Sequence, residues 1–165
     1  PSGAGIKPPN VPDDGGPWSR RMLLATSVDG LTWTKKNEVL ANQGDAQSMV
    51  VGPDGTIFVY YLTNYEPYRD QLVAAVSPDN GGSWYNKTLD LTYVDGVGKG
   101  ADPAMLLLTD GRFRMYFSGS TDNTGVKTRS AVSTDGLTFE QESGIRFSSP
   151  TEAIVAAMIE TMGEA

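Results

Sequence analysis

An all-β protein made of repeated antiparallel units is the fold this sequence predicts, and three observations carry the prediction. The first is a turn motif that occurs three times: Ser27-Val28-Asp29-Gly30-Leu31-Thr32-Trp33, Ser77-Pro78-Asp79-Asn80-Gly81-Gly82-Ser83-Trp84 and Ser133-Thr134-Asp135-Gly136-Leu137-Thr138-Phe139. The near-even spacing of Ser27, Ser77 and Ser133 marks stacked supersecondary units. The second is a pair of Asp-Gly turns, Pro53-Asp54-Gly55 and Thr109-Asp110-Gly111. Asp54 stands as far before Asp79 as Asp110 stands before Asp135. The third is period-two alternation: over residues 113–117 it sets Phe113, Met115 and Phe117 on one face and Arg114 and Tyr116 on the other.

The chemistry of the repeated motif explains its composition. Its aspartate accepts hydrogen bonds from N–H groups of its own turn, and glycine permits positive φ. The aromatic residue four or five positions after the aspartate is expected to fold beneath the turn and be buried. Such a motif is a structural staple. Ser27, Asp29, Trp33, Ser77, Asp79, Gly81, Trp84, Ser133, Asp135 and Phe139 are therefore expected to be framework residues rather than ligand contacts.

Taken in order, residues 1–17 are rich in Pro, Gly and Asp and read as a lead-in. Residues 18–42 form half a unit, with strands over 22–27 and 32–40 on either side of the first motif. Residues 43–95 form a complete unit. Its strands are expected over 47–51, 56–62, 72–76 and 84–91, with the Asp-Gly hairpin between the first two and β-branched and aromatic residues filling the second. Residues 96–148 repeat the order, with strands over 104–108, 112–118, 128–132 and 139–142.

The tail, residues 150–165, has two readings. By repeat logic, 151–157 is the first strand of a further unit. By local chemistry it is a short C-terminal helix, with Ser149 as N-cap, Pro150 in the first turn and Glu152 completing a capping box. Ile154, Val155, Met158, Ile159 and Met162 would form its apolar stripe, with Gly163 as the C-terminal cap.

Composition removes whole classes of function. The 165 residues are 39% hydrophobic and 20% charged, which suits a globular chain. No apolar run approaches the roughly 20 residues that span a bilayer, so no membrane insertion is expected. A net charge of −7 without a Lys/Arg-rich patch argues against nucleic acid. There is no cysteine and no histidine. That excludes disulfides, Ser–His and Cys–His catalysis and the common zinc sites. Any catalysis must rest on carboxylates, Tyr, Lys or Arg, and neither a metal nor another cofactor is expected.

The repeated turns resemble Asp-boxes, the signature of sialidase-type (BNR) β-propellers. The fold expectation is then a partial β-propeller of four-stranded antiparallel blades, about two and a half of them. Because blades bury their faces against neighbours, this number implies a fragment, or copies that associate into a homo-oligomer to complete the propeller. An acidic residue opens each innermost strand: Asp45 in Gly44-Asp45-Ala46, Asp102 in Ala101-Asp102-Pro103 and Glu152 in Thr151-Glu152-Ala153. Equivalent positions would bring the three carboxylates to one mouth of a central channel.

That pattern is similar to the five-bladed glycoside hydrolases that include arabinanases, β-xylosidases and fructosidases. The resemblance implies Asp45 as general base, Asp102 as orienting carboxylate and Glu152 as general acid, with carbohydrate as the partner. It also implies an extracellular or periplasmic location. Tyr65 and Tyr68 would stack on sugar rings, and Arg114 is a further substrate contact. The Asn-Asp-Pro nucleophile stretch of the fructosidases is missing, and no sialidase arginine motif is present.

Each candidate also has a structural reading: Asp45 as a loop residue, Asp102 as a strand-opening Asp-Pro, Glu152 as a helix cap. The functional rivals are a non-catalytic propeller that binds glycans or proteins, and a scaffold that closes by self-association.

Overall fold

The computed structural model describes residues 20–63, 71–94, 100–119 and 127–148; among these the protein is all β, without a helix. The first sheet is one antiparallel pair, β1 (Arg21–Thr26) and β2 (Thr34–Asn42). The second holds four strands in chain order, β3 (Gly44–Val51), β4 (Ile57–Thr63), β5 (Gln71–Ser77) and β6 (Tyr85–Thr88), all antiparallel. The third is built from β7 (Asp90–Thr92), β8 (Ala101–Leu107), β9 (Phe113–Gly119), β10 (Lys127–Ser133), β11 (Thr138–Gln141) and β12 (Phe147–Ser148). Its order is β7-β11-β10-β9-β8, with β12 on β10, and β7 runs parallel to β11. The described residues contain no closed sheet. The lead-in over 1–17 and the two readings of 150–165 lie outside them.

The expected strands are present to within a few residues, with one instructive difference. The sequence predicts a single strand over 84–91, but the chain changes sheets in the middle of it. Leu89 N–H donates to Leu72 O at 2.9 Å in the second sheet, and the next residue, Asp90, donates to Leu137 O at 3.0 Å in the third. Leu89 is buried and Leu91 packs beside it against the same core, so crossing over seats both leucines in apolar surroundings.

The repeat holds in register as well as in sequence. Tyr60 pairs with Ala74 and Ser48 across the second sheet; at the equivalent place in the third, Tyr116 pairs with Ser130 and Ala104. The two Asp-Gly turns match too. Gly55 and Gly111 sit at φ of 87° and 85°, and Asp54 and Asp110 each accept from the N–H two positions on, at 3.0 Å.

Two apolar layers separate the three sheets. Between the second and third lie Phe58, Tyr60, Leu72, Ala74 and Val76 on one side and Met105, Phe113, Met115, Phe117, Ala131 and Phe139 on the other. The alternation read from the sequence is thus observed: Phe113, Met115 and Phe117 are buried, while Arg114 and Tyr116 face away. Tyr60 ties the layer together. Its ring meets Phe139 edge-on at 6.1 Å, and its hydroxyl donates to Gly136 O at 2.8 Å. Burying an aromatic of this size stabilises by about 2–3 kcal/mol. Between the first and second sheets, Met22, Leu40 and Ala41 cover Val59, Tyr61, Val73 and Ala75.

Candidate functional site

Of the residues singled out for chemistry, Asp45 and Asp102 lie at the starts of β3 and β8, and these two strands are neighbours: Met105 N–H on β8 donates to Ser48 Oγ on β3 at 3.0 Å. Each strand is entered through a glycine beneath an aromatic ring. A Cβ on Gly44 would lie 3.0 Å from Tyr61, and one on Gly100 would lie 2.8 Å from Phe117. Each strand then carries a register shift, between Asp45 and Ser48 in one and between Ala101 and Ala104 in the other. Inside it sits a non-glycine residue at positive φ, Ala46 and Asp102, both at 52°. A bulge of this kind re-aims side chains and holds strain that the surrounding ladder must maintain.

This geometry corrects the expected equivalence of the two aspartates. Asp45 pairs with Leu62 and Ala101 with Ser118, and Leu62 and Ser118 hold the same place in the repeat. Asp45 therefore matches Ala101, and Asp102 matches Ala46. Aligning one acid on the other shifts the repeat by a single position. The signal that fixes the alignment is in the sequence: Gly44 is as far from Gly100 as Met49 is from Met105, whereas the step from Asp45 to Asp102 is one position longer.

The two carboxylates also differ in surroundings. Asp45 is gripped by Arg20, whose Nη1 lies 2.6 and 2.5 Å from its two oxygens, and Ala46 N–H donates to Oδ1 at 2.8 Å. The Arg20 hydrogen bond holds its carboxyl below the usual carboxylate range, against the opposing effect of partial burial. Asp102 is exposed, and Oδ2 accepts from the Ser118 hydroxyl at 2.7 Å. The sequence reading gives neither Arg20 nor Ser118 a role at these acids. Ser118 is legible only as the cross-strand partner of Ala101, once the register is known.

Arg114 is not brought to these acids. It lies four positions before Ser118 on β9, about 13 Å away at the rise of a strand. Its guanidinium donates to Glu142 Oε1 at 2.9 Å. Glu142 also accepts from the Ser130 hydroxyl at 2.6 Å, and Arg146 Nε donates to that same Ser130 oxygen at 2.7 Å. The Ser130 bond first, and then Arg114 against some burial, lower the Glu142 carboxyl. Tyr65, Tyr68 and Glu152 lie outside the described residues. Among the described residues no three acidic groups cluster as a metal site would require.

The three repeated turns share one hydrogen-bond pattern. Ser27, Ser77 and Ser133 donate to Asp29, Asp79 and Asp135 at 2.8, 2.9 and 2.9 Å. Asp29 Oδ1 accepts from Leu31 and Thr32 N–H, Asp135 Oδ1 from Leu137 and Thr138 N–H, and Asp79 Oδ1 from Ser83 N–H. Gly81 N–H closes the second turn on Ser77 Oγ at 2.8 Å. All three carboxyls are lowered; at Asp135 burial opposes the shift and the turn donors outweigh it.

The aromatic residues diverge. Phe139 is fully buried and Trp84 packs partly against the layer shared by the first two sheets, but Trp33 is 61% exposed. The expectation that each ring lies buried beneath its turn fails at Trp33, because no sheet among the described residues lies over it. An open depression lined by Thr26, Ser27, Val28, Thr32 and Thr34 sits at this first turn. It is at the other end of β1 from Arg20 and Asp45.

No family model and no curated protein matches the chain. Solved structures do. A protein of unknown function from Dyadobacter fermentans superposes with a TM-score of 0.57 at 18% identity, over 72% of this chain and 42% of that one. An endo-1,4-β-xylanase from Bacteroides thetaiotaomicron gives a TM-score of 0.53 at 16% identity, over 74% of this chain and 45% of that one. The chain thus spans less than half the length of either. At such identities the likeness is one of fold: these residues share an all-β architecture that also occurs in a carbohydrate-active enzyme.

Proposed function

We propose that residues 20–148 are part of a β-propeller of glycoside-hydrolase type, in which Asp45 and Asp102 belong to a carbohydrate site. The observation that carries this reading is the adjacency of β3 and β8, each with an acid beside a strained bulge at its start. In this reading Asp45 is the general base. Arg20 keeps it ionised, as a base that activates water near neutral pH must be. Asp102, steadied by Ser118, orients the sugar or the water. Glu152 remains the proposed general acid, and Tyr65, Tyr68 and Arg114 remain proposed substrate contacts. A water between base and acid needs carboxyls about 6.5–9.5 Å apart and gives inversion of configuration.

The test is titration of the isotope-labelled chain with xylo- and arabino-oligosaccharides, followed by amide NMR and by reducing-sugar release. Shifts centred on Asp45, Ala46, Asp102 and Ser118, lost in Asp102→Asn, are expected. If no sugar moves those amides, or the shifts gather elsewhere, the reading fails.

A second reading, a non-catalytic glycan-binding module, is favoured by Trp33. Its exposed indole, with Nε1 donating to Gly30 O at 3.2 Å, belongs to the turn at which the open depression sits and has the makings of a stacking platform. Shifts confined to the first turn, without sugar release, would select it.

A further inference from the structure

We propose that the first sheet is the outer half of a four-stranded unit, and that a β-hairpin from another polypeptide segment docks along the open edge of β1 and covers Met49 and Val51. The internal repeat specifies what belongs there. β1 and β2 flank a Ser-x-Asp turn just as β5 and β6, and β10 and β11, do. In the second and third sheets that pair is preceded by a hairpin, β3–β4 or β8–β9, whose second strand pairs with β5 or β10. Among the described residues β1 pairs with β2 alone. The edge that β5 gives to β4 therefore carries no strand in β1 among the described residues, a template for strand addition.

Met49 and Met105 measure the gap. They occupy the same register in successive units, each opposite the middle of the next strand. Yet Met105 is 8% exposed, in the layer facing the second sheet, and Met49 is 64% exposed. Val51, two positions along the same face of β3, is 46% exposed. The layer they should join already exists: Val59, the cross-strand partner of Met49, is buried in it with Met22 and Tyr61. A docked hairpin extends that layer by two strands.

The occupant has a definite chemistry. It is an antiparallel hairpin about as long as β3–β4, roughly 20 residues, apolar at alternate positions and free of proline in the strand beside β1. Residues 1–19 hold prolines at 1, 8, 9, 12 and 17, each lacking the N–H that an inner strand needs. Residues 149–165 contain no Asp-Gly or comparable pair to turn a hairpin. This inference does not depend on the carbohydrate reading.

The probe is a synthetic peptide of residues 100–119, the chain's own β8–β9 hairpin, added to the full chain. Oxidation of Met49 by dilute peroxide is followed by mass spectrometry, together with amide exchange in β1. At saturating peptide, Met49 should oxidise about fivefold more slowly and β1 amides should gain protection. Met49→Asp should abolish the gain while leaving exchange in β9 and β10 unchanged. Unaltered oxidation and exchange with peptide present would overturn the proposal. So would a Met49 already protected without peptide in a particle of twice 17.7 kDa by light scattering, which would make the occupant a second copy.

Discussion

Phe139 and Trp33 occupy the same place in two copies of one turn, and their surroundings assign them opposite weights. Phe139 is fully buried against Tyr60, so Phe139→Ala leaves a cavity that the neighbouring sheets cannot collapse into; a loss of about 3–5 kcal/mol is expected. Trp33 is mostly exposed and keeps one indole N–H bond to Gly30 O at 3.2 Å, so Trp33→Ala should cost no more than about 1 kcal/mol. Chemical denaturation of the two variants checks the contrast, and equal losses would contradict it. The aspartates of the turns add a pH dependence whose sign is fixed. Asp29, Asp79 and Asp135 are all lowered in the folded protein. Their contribution is complete above the ordinary carboxylate value, near pH 4, and is lost as pH falls through the lowered folded values. Asp135→Asn keeps an oxygen acceptor in the turn but loses the charge. The fall of its urea midpoint below about pH 4 should therefore be shallower than in the parent, whereas Asp135→Ala should be weaker at every pH.

At the scale of the element, the starts of β3 and β8 show what a single sequence discloses and what it withholds. The hairpins are legible, because Asp54-Gly55 and Asp110-Gly111 are local chemistry and glycine at positive φ is what such turns require. The bulges are not. Positive φ at Ala46 and Asp102 goes with register shifts against β4 and β9, residues distant in sequence; alanine gives no sign of it, and aspartate, which tolerates positive φ, does not by itself specify it. The switch of the chain from β6 to β7 is hidden for the same reason, since it depends on where Leu89 and Leu91 find apolar neighbours. The paired glycines allow a prediction here. In Gly100→Ala the new methyl meets Phe117 at 2.8 Å, and that ring is held in the core. In Gly44→Ala the nearest atom, at 2.6 Å, is the Met22 sulfur on a flexible side chain, although Tyr61 also stands at 3.0 Å. Overpacking should therefore cost about 1–3 kcal/mol at Gly100 and less at Gly44, where methionine can swing aside. Thermal or urea unfolding of both variants decides the order.

For the whole molecule, the arrangement of layers predicts a gradient of local stability. The second sheet has an apolar layer on each face, and its middle strands, β4 and β5, are buried nearly throughout. The third sheet shares the larger layer through β9 and β10. The first sheet touches one layer only, and β2 is exposed over most of its length. Opening the first pair uncovers Met22, Leu40 and Ala41 but leaves the Phe58–Phe113–Phe139 layer intact, so it requires far less free energy than global unfolding. Native-state amide exchange should thus be slowest in β4, β5, β9 and β10 and fastest in β1, β2 and the exposed β6. Adding denaturant should merge the slow group into one isotherm while β1 and β2 remain separate below it. If β1 exchanged as slowly as β5, the first sheet would have to be covered on the face that Leu23 and Val39 now expose. Cooperativity would then extend beyond the two layers seen here. The order of exchange thereby measures how far each copy of the repeat depends on its neighbour, which is the property that distinguishes stacked units from a single undivided core.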